Sequence, residues 1–175
     1  MAKKRKKPAV RTIKDRKVWS DGQWIVRFGE LNAGRGRPDK VQSLFRVVGE
    51  KLPFEALGNV DKHLGKRKDI RRNGVYVAHD SMGYARYIGR GRIFPRLRAC
   101  QKRQSLALKY FSFYVVPEKK HEREIETLLI HAAGPLLQFN TKKKRLTISP
   151  GNILDYEAGT LFFQRYYRKG KRLKL

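Results

Sequence analysis

The apolar positions along this 175-residue chain change period several times, and each change marks an element. Residues 18–28 read VWSDGQWIVRF, two apolar, β-prone runs separated by Asp21-Gly22, which is a strong short-range hairpin signal. Residues 31–40 (LNAGRGRPDK) read as loop, and 41–52 (VQSLFRVVGEKL) carry apolar positions at 41, 44, 45, 47 and 48 that suit helix and strand alike. Two short β-prone runs, 74–78 (GVYVA) and 85–89 (ARYIG), flank a turn-rich linker of hairpin size. Pro95 stands where a helix can start, and 96–108 is rich in helix formers, with Leu97 and Cys100 on one side. YFSFYVV at 110–116 is the most strand-like segment and is expected to be the central, doubly covered strand. From His121 the period becomes helical: Ile125, Leu128, Leu129 and Ala132 fall at i, i+3, i+4 and i+7 until Gly134-Pro135 ends the run.

The order β, β, α, β, α predicts an α+β fold. The expected form is a small central antiparallel sheet of about three strands flanked by helices, with a small N-terminal β-containing extension and basic tails. Residues 1–17 hold nine cations and one anion and are expected to be a disordered tail until they meet phosphate. Residues 18–71 form an accessory region with the hairpin, 72–145 the main domain, and 146–175 a basic, aromatic extension.

Composition narrows the function classes. Forty-two Lys and Arg against fifteen Asp and Glu give a formal charge of +27, a self-repulsion that a polyanionic partner would offset, and nucleic acid is the first candidate. The single cysteine, Cys100, excludes an intramolecular disulfide framework and any zinc site built from several thiolates. The longest run without Asp, Glu, Lys or Arg, 127–141, is too short for a membrane span and contains His131, Gly134, Pro135, Gln138 and Asn140. The basic N-terminus lacks the apolar block of a secretory signal, so a cytoplasmic location is expected.

Gly74-Val75-Tyr76, ten residues, then Tyr87-Ile88-Gly89 resembles the paired tripeptides that give the GIY-YIG nucleases their name. Arg96 follows nine residues after Tyr87 with Leu97 beside it, and Glu126, Pro135 and Asn140 come later in family-like order. The resemblance covers roughly residues 72–143. It implies a metal-dependent endonuclease that hydrolyses phosphodiester bonds in DNA, with Tyr76, Tyr87, Arg96 and Glu126 catalytic and Glu126 holding Mg²⁺ or Mn²⁺. Two departures stand out. The tract from Tyr87 to Arg96 is one residue shorter than usual, which makes Arg98 a rival for Arg96, although Leu97 favours Arg96. Cys100 stands where many members carry a histidine, and His79 and His121 are unranked candidates for its role.

The residues also read on their own. At about 100° per residue Glu126 projects from the flank of the apolar helix face, where a carboxylate suits either a neighbouring cation or Mg²⁺. Tyr76 and Tyr87 reach one site only if the strand register turns both to one face. Lys66, Arg67, Lys68, Arg71, Arg72, Arg90, Arg92, Arg98, Lys142, Lys143, Lys144 and Arg145 are the expected nucleic-acid contacts, with DNA preferred to RNA. The alternative is a non-catalytic nucleic-acid binder, RNA- or ribosome-associated, that retains a degenerate nuclease scaffold.

Overall fold

The computed structural model describes residues 12–31, 44–104, 107–134, 137 and 159–167. Its elements are β1 (Thr12–Ser20), β2 (Trp24–Leu31), β3 (Val47–Pro53), α1 (Leu57–Gly65), β4 (Asn73–His79), β5 (Ala85–Arg92), α2 (Ile93–Arg103), β6 (Tyr110–Val115), α3 (Lys119–Ala133) and β7 (Leu161–Tyr167). The hairpin at Asp21-Gly22 forms between β1 and β2, and the Asp21 carboxylate accepts the backbone N–H groups of Gln23 and Trp24 at 2.7 and 2.5 Å.

The expected small three-stranded sheet is not what forms. All seven strands join one mixed sheet in the order β1-β2-β7-β3-β6-β4-β5, in which only β3 and β7 run parallel. The expected strands β5, β4 and β6 occupy one end of it. The ambiguous segment supplies β3, which pairs with the free side of β6 and takes the middle place in the sheet that YFSFYVV was expected to hold. From the presumed C-terminal extension, β7 inserts between β2 and β3 and so fuses the N-terminal hairpin to the rest. Residues 12–17, expected in the disordered tail, belong to β1, since pairing with β2 gives their backbone groups partners. The rest of that tail, the 32–40 stretch and 146–158 lie outside the described residues.

Both faces are covered at the β4 end. α1 and α2 pack Leu57, Val60, Leu64, Ile93, Phe94 and Leu97 against Tyr76, Ala78, Phe111 and Phe113. On the opposite face, Ile125, Leu129 and Ile130 of α3 meet Val75, Val77 and Ile88. Pro95 is the third residue of α2, inside the first turn, where its missing N–H leaves no hydrogen bond unmade. Gly134 closes α3 with φ +43° and donates its N–H to the Ile130 carbonyl.

A polar chain runs through the far end of this core. The Gly83 carbonyl can only accept, so His79 Nδ1 carries the proton at 3.1 Å and Nε2 accepts the Ser112 hydroxyl at 2.8 Å. Ser112 Oγ in turn accepts the backbone N–H of Lys51, the one non-glycine described residue with positive φ, at the bulge where β3 slips against β6. Burial above all, and then the Lys51 ammonium, push the His79 imidazolium down from 6.5 to about 4. The unfolded chain therefore binds a proton between those values that the folded one refuses, and stability falls as pH drops through that window. Up to about 3 kcal/mol is at stake from this group, and urea midpoints at pH 7 and pH 5 should converge in His79→Gln relative to wild type. An equal acid loss in the variant would remove His79 as the cause.

Candidate active site

Strand register settles which face the tyrosines share. Gly89 lies opposite Tyr76 and Tyr87 opposite Ala78, so both rings stand diagonally on the α2 face, with centroids 6.0 Å apart. The glycines of the two tripeptides are required by space. A Cβ on Gly89 would fall 2.5 Å from the Tyr76 hydroxyl and 3.0 Å from the Tyr87 ring, and one on Gly74 would fall 1.9 Å from the Tyr114 carbonyl oxygen. Over the next bare position of β5 passes Arg96, whose Nε lies 3.6 Å from where a Gly91 Cβ would stand.

Tyr76 is only 1% exposed, and its hydroxyl interacts with Tyr87 and with the Arg96 guanidinium. Burial and the neighbouring Tyr87 hydroxyl raise its pKa far more than Arg96 lowers it. A phenol so placed is no base at neutral pH. What it can do is hold Arg96.

Arg96 and Glu126, the other two expected catalytic residues, line one cleft of about 510 Å³ at the ends of β4 and β5, between the start of α2 and the first half of α3. Arg71, Arg90, Arg92 and Lys119 line it as well, so five cations face two carboxylates, Glu126 and Glu122. The half-buried Glu126 accepts Arg90 Nε at 3.1 Å. Glu122, one turn earlier on α3, is buried; desolvation raises its carboxyl pKa against the pull of Arg90 and Lys119. Neither tyrosine is in the lining. Tyr76 touches the site through Arg96.

The remaining expected contacts divide. Arg72 and Arg98 both clamp Asp61 of α1, a carboxylate 12% exposed, with Arg72 Nη1 at 2.5 Å. Arg98, its side chain 49% exposed, is thus engaged with Asp61 and is not in the cleft lining, whereas Arg96 is. Arg67 makes a two-pronged pair with Asp69 at 3.0 and 3.1 Å, while Lys66 and Lys68 are exposed and unpaired with any described carboxylate. Lys142 to Arg145 lie outside the described residues. Cys100 is half-buried against the core, and burial pushes its thiol pKa up. His79 sits in its own polar chain, and His121 pairs with Glu118 and Glu124, so neither stands in for the missing histidine in the cleft.

Sequence reasoning missed Asn73, Lys119 and Glu122. For Glu122 a signal existed: it stands four residues before Glu126 and so shares its helix face. Among the described residues no three His, Cys, Asp or Glu gather as a metal cage, and no helix is long and apolar enough to cross a membrane. No protein-family model matches the chain, and neither a curated protein nor a solved structure matches it.

Crowding at Gly89 gives a direct check. Gly89→Ala should cost about 1–3 kcal/mol, because a fully buried tyrosine must move. Gly58→Ala, on α1 with nothing within 4 Å, should be neutral or stabilise by up to about 1 kcal/mol. Chemical denaturation of both variants measures the contrast, and equal effects would contradict the packing of Tyr76 over β5.

Proposed function

We propose that the protein is a divalent-metal-dependent nuclease of the GIY-YIG kind, acting on phosphodiester bonds of DNA. One observation carries the reading: Arg96 and Glu126, thirty residues apart in sequence and on different helices, meet in one cleft otherwise lined by arginine and lysine. A carboxylate on the wall of a cationic groove is a poor feature for simple phosphate binding, which it opposes, and a useful one for hydrolysis.

In this reading Arg71, Arg92 and Lys119 hold backbone phosphates, and the Arg96 fork takes the oxygens of the scissile group. Tyr76 positions that fork from beneath. The attacking nucleophile is water: a new P–OH bond forms as one P–O(ester) bond breaks, the water loses a proton to solvent through the cleft mouth, and the leaving ester oxygen takes one up from solvent to become a hydroxyl. Tyr87, half-buried beside Tyr76 and outside the cleft lining, supports Tyr76 in positioning the Arg96 fork. Glu126 offers a hard oxygen donor, and Mg²⁺ or Mn²⁺ fits a site with so few carboxylates because it keeps most of its waters. Such an ion, when bound, would supply Lewis-acid stabilisation of charge on the leaving oxygen.

A binder without chemistry is the second reading, favoured by the burial of Tyr76 and by the ion pair that already occupies Glu126. Cleavage of plasmid, branched and single-stranded DNA and of RNA, with Mg²⁺ or EDTA, separates the two. Arg96→Ala should lower kcat about 10²–10³-fold, as loss of a transition-state anion partner does elsewhere. Glu126→Gln should abolish cleavage yet leave DNA affinity within a few-fold, and Arg98→Ala should lower the melting temperature and spare kcat. Salt-dependent binding with no metal-dependent cleavage would leave the binder as the answer.

A further inference from the structure

Glu122 is the anomaly of the cleft. Many of the described carboxylates bond a side chain: Asp15 with Arg27, Asp61 with Arg72 and Arg98, Asp69 with Arg67, Asp80 with Arg86, Glu50 with Tyr114, Glu118 with Lys120, Glu124 with His121 and Glu126 with Arg90. Glu122 is only 4% exposed and has no hydrogen bond or ion pair to another described side chain, while its carboxylate oxygens are not among the enclosed, unpartnered polar atoms and so stay open. The residue lines the cavity. The side chain is enclosed while its carboxylate opens only to the cleft, so a hydrogen bond or a cation supplied there is what can compensate it. The nearest compensation is electrostatic: Arg90 and Lys119 lie close enough to lower its pKa, and Glu126 close enough to raise it.

Arg90 is thus shared. Its Nε binds Glu126 directly and its charge reaches Glu122, so one guanidinium neutralises a pair of acids set one helical turn apart. The pair cannot be a routine solvated helix face, because the wet positions of α3, Arg123 and Glu124, point elsewhere and are exposed. Arg90 itself is not locked in: its side chain is 40% exposed, and it has the cleft to move into.

Resting on the metal-dependent reading above, we infer that Glu122 and Glu126 together form the cation site, and that Arg90 is a built-in counter-ion which the divalent ion displaces. Two carboxylates from one helix give a hard, incomplete ligand set that leaves most coordination positions to water and to a phosphate oxygen, as Mg²⁺ requires. A doubly charged ion between two acids outcompetes a singly charged guanidinium in a partly desolvated site. Displaced, Arg90 turns into the cleft beside Arg92 and adds a donor for the phosphate. Metal loading and phosphate binding are then coupled through one side chain, each favouring the other.

The experiment titrates full-length protein with Mn²⁺ in the absence of nucleic acid and follows free Mn²⁺ by electron paramagnetic resonance. Wild type, Glu126→Gln, Glu122→Gln and Arg90→Met are compared, with melting curves in EDTA to check folding. We expect Glu122→Gln and Glu126→Gln each to weaken Mn²⁺ binding at least tenfold and Arg90→Met to tighten it several-fold. If wild type binds no Mn²⁺, or Glu126→Gln binds as wild type does, the metal reading of the cleft fails and this inference with it. If Glu126→Gln weakens binding and Glu122→Gln does not, the inference alone is overturned. Unchanged or weaker binding in Arg90→Met overturns the displacement, and that result stands even if Glu122→Gln proves poorly folded.

Discussion

Strand β4 has no free side: β6 and β5 bond its two edges, and helices cover both of its faces. Its two-residue alternation therefore sorts the whole candidate site. Val75 and Val77 go to α3, and Tyr76 and Ala78 go to α2. Through the register with β5, Arg90, opposite Val75, is put on the α3 face where Glu126 waits, and Gly89, opposite Tyr76, on the α2 face where the phenol needs room. A one-residue slip would exchange the two sets, pressing a valine onto α2 and an arginine over Tyr76. The packing of both faces is thus what holds the cleft residues in their places, and the glycines at 74 and 89 are the points where no side chain is compatible with that closeness.

How much of this was legible from sequence differs by element for a physical reason. The β1–β2 hairpin and α3 carry their own signals, since Asp21-Gly22 makes a turn locally and a period of 3.6 is visible within a dozen residues. β3 and β7 carry none. VVGEKLP pairs with strands that lie far along the chain, as Val47 with Val115 and with Leu161, and LFFQRYY inserts beside strands that precede it by as much, so no window of sequence contains those partners. The sheet was therefore read as three strands when four more extend it. The site shows the same split. Tyr76, Tyr87, Arg96 and Glu126 were named by motif, but their division between a tyrosine pair outside the cleft lining and two residues within it follows from register and helix placement. Glu122 was passed over because a second acid on a charged helix looks like solvated surface until its burial is seen.

Excess cation shapes the rest. With 42 basic residues to 15 acidic ones, most cations cannot find a carboxylate, and the pairs that do form are selective. Exposed pairs such as Arg27 with Asp15 add little to stability. The Asp61 clamp differs, because its carboxylate is sheltered and its two arginines come from the segment before β4 and from α2, so it ties α1 to the edge of the site. The same excess holds in the cleft: Arg71, Arg92, Arg96 and Lys119 make no direct ion pair with a described carboxylate, and Glu122 and Glu126 offset only part of their mutual repulsion.

Arg96 and Arg98 make the same point at the scale of one helix. They sit two residues apart, about 200° around the helix, so the same residue type meets opposite surroundings. Arg98 swings to α1 and finds Asp61; Arg96 swings over the bare backbone of Gly91 toward the cleft and finds a tyrosine hydroxyl that neutralises nothing. A guanidinium held by a neutral hydrogen bond keeps its full charge for a ligand, whereas one held by a carboxylate has spent it. That distinction also explains why a buried tyrosine is the right neighbour for Arg96. A phenol with its pKa raised by burial stays neutral near neutral pH, so it fixes the arginine in place without taking up its charge.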